Sequence, residues 1–479
     1  MSSGLPRRWK GRDRGVRQHA PIFCELEYVG GILVEENKMA VMPVRRLLLN
    51  MSWPMMLSML IQALYNLVDS LFVANLSRDG FEALALVYPV QTLMISVCVG
   101  VGVGFNALLA RRLGQRRQAE ADQVTANGYF VYFVCWLVFL VLGVGFARPF
   151  LCLFSDVPQQ IEYGVQYLSI VTGLSIGVCM QFAGERTLQA TGDTVGPMII
   201  QGIGAVVNLI LDPLFIFGIG PFPRLEVAGA ALATVLGQIV GLVASFWMVR
   251  RSRVVKLSFR GFRPNGEIIR TMFKVGFPAI VMQALSSVMT VGMNLILRLL
   301  TPFGVFILGA YYKIQSFIFM PLYGMNNALV PIISFNYGAK RKERITGTVR
   351  FAMVLTVVIM GVGTVFLILL AGPLLTLFDA EGALLTAGTA ALRMIALSFL
   401  FAGVSIILCS ALQALGSANA SLLISLLRQV ILLFPAALAF GWLGTDLVWL
   451  AFLVAEVLSC GVALLLYRMA YRKKVSVLQ

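Results

Sequence analysis

The chain has 479 residues, of which 59% are hydrophobic and 13% charged, with a formal net charge of +16 and a mean hydropathy of +0.86. A soluble domain carries about 25% charged residues, so this composition excludes a water-solvated globule. The single histidine, His19, excludes a histidine-built metal site.

Residues 1–41 form a polar, basic N-terminal tail, and residues 1–38 lack the apolar core of a signal peptide. Apolar stretches long enough to cross roughly 30 Å of hydrocarbon as helices then recur. Twelve spans are read, at about 46–72, 83–110, 125–147, 160–183, 195–219, 228–249, 271–297, 305–335, 349–371, 385–413, 418–441 and 446–468. The fold expected is an all-α integral membrane protein of twelve transmembrane helices. It divides into an N-lobe (42–249), a basic linker (250–270), a C-lobe (271–468) and a tail (469–479).

Positive charge gathers in alternate loops. Arg111, Arg112, Arg116 and Arg117 follow the second span, Arg250, Arg251, Arg253, Lys256, Arg260 and Arg263 the sixth, and Lys340, Arg341, Lys342 and Arg344 the eighth. Intervening loops hold isolated arginines only. By the positive-inside rule these loops and both termini are cytoplasmic, and the net charge reflects topology rather than nucleic-acid binding. The seven cysteines show no paired spacing and read as small apolar residues within helices.

A shift of 224 residues superimposes the halves: Pro54 falls on Pro278, Gly100 on Gly324, Gly114 on Gly338, and Leu188-Gln189-Ala190 with Gly192 on Leu412-Gln413-Ala414 with Gly416. Six helices per repeat is an even number, so both halves enter the membrane in the same sense. They are expected to form two lobes related by a pseudo-two-fold axis along the membrane normal, with a cavity between them that rocking exposes to alternate sides.

A carboxylate in the bilayer costs roughly 2.5 to 3.5 kcal/mol on insertion scales, so each needs a reason. In the first span Gln62, Tyr65, Asn66 and Asp69 share one helical face; in the fifth, Asn208 and Asp212 do. Both spans run outward, and at 1.5 Å per residue the two aspartates lie roughly 25 to 35 Å from the inner end. Two carboxylates close together in a low dielectric hold a proton or a cation between them. That makes a coupling-ion site for H+ or Na+; the alternative is a snorkelling Asp69 and an Asp212 that satisfies backbone beside Pro213. Their repeat partners are Met293 and Ala436, so the ion chemistry is confined to the first half. In the second half Gln283, Ser286, Thr290 and Asn294 form a polar stripe suited either to a substrate cavity or to interhelical hydrogen bonds. Lys313 could reach the same cavity or snorkel outward, and Arg393, Arg428 and Glu456 have no assigned role. Pro54, Pro213, Pro278 and Pro435 are expected bend points.

The segments PMMLSMLIQALYNLVDSLFVANL (from Pro54), LQATGDTVGPMIIQGIGAVVNLILDPLFIFG (from Leu188), GAALATVLGQ (from Gly229) and YKIQSFIFMPLYGMNNALVPIISFNYGAKR (from Tyr312) resemble the multidrug and toxic compound extrusion (MATE) family. The resemblance extends from Met42 to Lys474. It implies an efflux antiporter in which the coupling cation binds at Asp69, Asn208 and Asp212, assisted by Thr234. It further implies that ion binding bends the first helix. Residues 271–300 hold no acid, which is similar to the DinF-like rather than the NorM-like branch.

The expected function is therefore export of organic compounds in exchange for H+ or Na+. A lipid-linked oligosaccharide or lipid flippase of the same superfamily is the alternative. No enzymatic activity and no cofactor beyond the coupling ion are read. The expected partners are a small-molecule substrate and the bilayer, in a monomer of the cell inner (plasma) membrane.

Overall fold

The computed structural model describes residues 26–29, 32–35, 37–76, 78–219, 221–378 and 380–478; the side chains of residues 26–35, 65–67, 69–71, 73–76, 78, 79 and 81 lie outside the description. Two strands, β1 (Leu26–Val29) and β2 (Ile32–Glu35), pair antiparallel with Val29 opposite Ile32, a hairpin that the polar tail did not announce.

The membrane portion is built of α1 (Val44–Leu76), α2 (Arg78–Gly114), α3 (Gln118–Leu151), α4 (Pro158–Gly173 and Ile176–Thr191), α5 (Val195–Phe217) and α6 (Glu226–Arg251). The second half repeats this as α7 (Gly266–Leu300), α8 (Gly304–Gly338), α9 (Lys342–Thr376), α10 (Gly382–Ala396 and Phe399–Ala414), α11 (Ala418–Leu443) and α12 (Thr445–Val475). Among the described residues ten helices are long and apolar enough to span, and twelve when each bent pair counts once. The two broken spans, α4 and α10, bend by 42° and 43°. These breaks do not fall at prolines. At each, a serine hydroxyl (Ser175, Ser398) donates back to the carbonyl three residues earlier (Thr172, Ile395), competing with the helical ladder.

Pro54, Pro213 and Pro278 lie inside helices that continue unbroken through them. Pro435 is different. Its ring cannot donate to Ile431, and the turn before it widens into a π-helix at Leu427–Ile431, with Leu432 N–H donating to Leu427 O at 2.9 Å.

The 224-residue register extends to backbone detail. The repeated Leu-Gln-Ala motif with its following glycine is a helix terminator in both copies. Gly192 (φ 95°) and Gly416 (φ 69°) adopt the left-handed conformation. One residue on, Asp193 N–H reaches Leu188 O at 3.0 Å and Ser417 N–H reaches Leu412 O at 2.7 Å, closing the last turn as a Schellman motif. Arg116 (φ 59°) and Lys340 (φ 58°) are likewise left-handed and one repeat apart.

The lobes meet through glycines related by the same register. A Cβ on Gly100 would lie 2.6 Å from Ile280 N, and one on Gly324 would lie 2.6 Å from Met56 N. Gly114 faces the Phe335 carbonyl carbon at 2.8 Å and Gly338 faces that of Arg111 at 3.0 Å, measured in the same way. Since 100, 56, 114 and 111 become 324, 280, 338 and 335 on adding 224, each contact has a counterpart under a two-fold operation. All of these approaches lie in the half of the molecule nearer the basic loops. Further along the same helices the atoms nearest a Cβ on Gly292 belong to Phe434 of its own lobe, and Gly309 has open space beside it. The lobes are sealed on the basic side. The seal includes the turn Lys38–Val41, whose Met39 is fully buried and whose carbonyls at Met39 and Ala40 accept from Arg344 and Arg341.

Candidate functional site

The polar groups of the N-lobe converge on a narrow cavity of about 60 Å³, bounded by α1, α4, α5 and α6. A water occupies roughly 10 to 15 Å³ by the same kind of measure. The cavity therefore has room for a few waters or a bare ion, not for a drug-sized molecule.

Asn208 and Asp212, one turn apart on α5, are 4% and 0% exposed. Asn208 Nδ2 donates to Asp212 Oδ1 at 3.2 Å and also points at Thr234 Oγ1 on α6 at 3.4 Å. Gln62 of α1 lines the same cavity. Four of the expected residues, Gln62, Asn208, Asp212 and Thr234, are thus brought to one place. The side chains of Tyr65, Asn66 and Asp69 lie outside the described residues; their backbone is helical within α1. α1 packs along α5 at this depth, with the rings of Phe72 and Phe217 6.3 Å apart edge to face.

An acid that the sequence did not single out lines this cavity. Glu185, on the second segment of α4, is 2% exposed; Gln181 Nε2 donates to one of its oxygens at 2.9 Å and Gln201 Nε2 to the other at 3.0 Å. Ser58 of α1 donates in turn to Gln201 Oε1. An amide on each carboxylate oxygen compensates part of the desolvation of a buried charge. The apolar window read at 160–183 stops two residues short of Glu185, because the charged pair Glu185-Arg186 lowers hydropathy there, whereas the helix runs on to Thr191. Arg186 turns away from the cavity, donating to Gln189 Oε1 at 2.9 Å and Asn327 Oδ1 at 3.3 Å.

The C-lobe candidates are not gathered in this cavity. Ser286 Oγ donates to Gln429 Oε1 at 3.4 Å and Thr290 Oγ1 to the Ser286 carbonyl at 2.9 Å, while Gln283 is exposed and Asn294 half-buried. Lys313 is exposed, its Nζ 5.6 Å from the Phe378 ring centroid just beyond α9, on the side away from the basic loops. Arg393 Nε donates to the Ile368 carbonyl at 3.1 Å and ties α10 to α9.

Arg428 and Glu456 form a largely buried pair, their side chains 14% and 12% exposed, with Nη2 to Oε1 at 2.8 Å and Nε to the same oxygen at 3.0 Å. Glu456 Oε2 has no hydrogen-bond partner among the described residues. Removing one member of such a pair strands the other, at a cost of about 3–5 kcal/mol, whereas replacing both with apolar residues is often neutral. Thermal unfolding in detergent should therefore show Glu456→Ala strongly destabilised and the double variant R428M/E456L close to the parent. Equal losses in both would rule out the pairing as the cause. Cys98 and Cys179 also meet, Sγ to Sγ at 3.6 Å across α2 and α4, a contact that their sequence spacing did not reveal.

A family model described as MatE matches residues 54–214 and 278–438, two stretches offset by 224 residues, as the internal repeat requires. A FAD transporter of Shewanella oneidensis is 27% identical over 401 residues, covering 82% of this chain and 88% of the relative. Multidrug export protein MepA of Staphylococcus aureus is 24% identical over 446 residues, covering 91% and 96%. Among solved structures, an outward-facing multidrug resistance MATE family transporter of the MOP superfamily superimposes with a TM-score of 0.84 at 24% identity, over 92% of this chain and 98% of that one.

Proposed function

The chain belongs to the MATE family, and from that premise we propose that it exports organic molecules across the plasma membrane as a monomer, in exchange for inward-moving H+ or Na+. The observation that carries this reading is a cavity sized for an ion, lined by amides, a hydroxyl and the buried Glu185, with a second buried acid, Asp212, hydrogen-bonded to its wall residue Asn208. Similarity to a multidrug export protein supports the direction of transport, and similarity to a FAD transporter leaves anionic cargo within the substrate range.

In this reading the basic side is cytoplasmic, as are both termini. The lobes, sealed on that side, then leave the gap between them open to the outside. Asp69, whose side chain lies outside the described residues, is the further coupling acid that the family resemblance implies. Arrival of the ion changes the net charge of the cavity and with it the packing of α1 on α5. Exchange requires that ion and cargo oppose one another, so their coupling free energy is unfavourable.

The test is efflux from proteoliposomes under separately imposed H+ and Na+ gradients. One gradient should drive export of an organic cation and the other should not. Export that ignores both gradients would overturn the antiport reading.

A further inference from the structure

A cavity of about 740 Å³ lies away from the ion site, on the outer surface of the N-lobe beside the basic linker. Ligand pockets commonly hold 300 to 1,000 Å³, so it can take most of a long apolar chain. Its walls come from four segments, α4 contributing Met180. α3 gives Tyr129, Phe130 and Phe133, α6 gives Phe246, Trp247 and Arg250, and the linker gives Phe259 and Phe262.

The linker is built to form this wall. Phe262 N–H donates to Phe259 O at 3.1 Å, closing a turn over Phe259-Arg260-Gly261-Phe262. Gly261, at φ 72°, occupies the position of a type II turn that a side chain resists. The two phenylalanines flank the turn and meet edge to face at 6.1 Å. Phe259 packs on Tyr129 at 6.3 Å and Phe262 on Phe130 at 5.8 Å. The rest of the linker is pinned to α3: Gln118 donates to the Val254 carbonyl at 2.7 Å, Asp122 accepts from Lys256 N–H at 2.9 Å, and Asn127 accepts from Asn265 N–H at 2.8 Å. An aromatic slot held in shape this way still leaves Phe259 51% and Trp247 56% exposed.

The rim is strongly cationic. Arg250, part of the lining, sits over Phe246 at 4.7 Å, and its neighbour Arg251 stacks on the lining residue Trp247 at 5.1 Å. Between residues 250 and 266 the sequence has six basic side chains and no acidic one. An apolar slot opening sideways to the bilayer, beneath a row of arginines at the level of the basic loops, matches one kind of molecule. We propose that this is a binding site for an anionic phospholipid of the leaflet on the basic side, with an acyl chain between α3 and α6 against the Phe259–Phe262 turn and the phosphate on Arg250 and Arg251. The site is independent of the transport reading, since neither Asp212 nor Glu185 touches it.

The experiment is native mass spectrometry of the full chain released from detergent after titration with phosphatidylglycerol or with phosphatidylcholine of the same chains. The parent should retain one phosphatidylglycerol in preference, by roughly fivefold for each arginine that reaches the phosphate. Arg250→Gln should lower that preference by about the same factor, and the double variant F259S/F262S should lose retention of both lipids. In a second measurement, phosphatidylglycerol brominated on its acyl chain should quench a fluorescence component that disappears in Trp247→Phe. Equal retention of the two lipids by the parent, or quenching unchanged in F259S/F262S, would overturn the proposal.

Discussion

Replacing Asp212 with Asn is expected to reduce gradient-driven efflux by roughly 5- to 150-fold, the range of a typical coupling free energy, while the protein still inserts. Asp212 is fully buried, and Asn208 and Thr234 form a polar cradle beside it on α5 and α6. An asparagine there keeps the shape and most of the hydrogen bonding but cannot carry charge or release a proton, so the loss isolates the ionisable function from the structural one. The measurement is proteoliposome efflux under each gradient, with binding of the organic cation measured separately. Retained binding with lost gradient dependence is the expected pattern. Efflux of the variant at the parental rate under the driving gradient would remove Asp212 from the coupling step.

Much of this site was legible because a polar residue on an apolar helix is a strong signal and helical spacing is rigid. Asn208 and Asp212 at i and i+4 must share a face, and Gln62 does lie on the cavity that Asn208 borders. Glu185 was hidden for a physical reason. It stands in the second segment of a broken span, two residues beyond the window read at 160–183, where the adjacent charges of Glu185 and Arg186 lower the hydropathy, so it was not singled out. The Arg428–Glu456 pair was hidden differently: its members are 28 residues apart on separate helices, and only packing brings Nη2 and Oε1 to 2.8 Å. The two broken spans had no proline to announce them, and Pro54, Pro213 and Pro278 interrupt no helix, because proline removes one hydrogen bond but does not forbid a helix whose neighbours satisfy the freed carbonyl. The repeat register, in contrast, transferred without loss from sequence to structure, down to paired left-handed residues at Arg116 and Lys340.

That register yields the second large expected effect. A methyl group at Gly114 has no room against the Phe335 backbone, and one at Gly338 has little against Arg111, because in both places helix lies on helix with only glycine between. A backbone cannot retract as a side chain can, so the lobes must part on the basic side. Overpacking of this kind costs about 1–3 kcal/mol, which biases the two-state equilibrium by roughly 5- to 150-fold toward the conformation open on that side. Because the two contacts are related by the pseudo-two-fold axis, Gly114→Ala and Gly338→Ala should act in the same direction and to similar extent, although they lie in different lobes. Spin labels at Leu153 and Leu377, themselves 224 residues apart and 79% and 77% exposed beyond the ends of α3 and α9, report on the opposite opening. Each alanine variant should shorten the distance between them relative to the parent as that mouth closes. A distance distribution unchanged in both variants, with the protein folded, would mean that the glycine seam does not govern which side is open. A shift in one variant alone would mean that the two halves of the seam are not equivalent in energy, despite their equivalence in geometry.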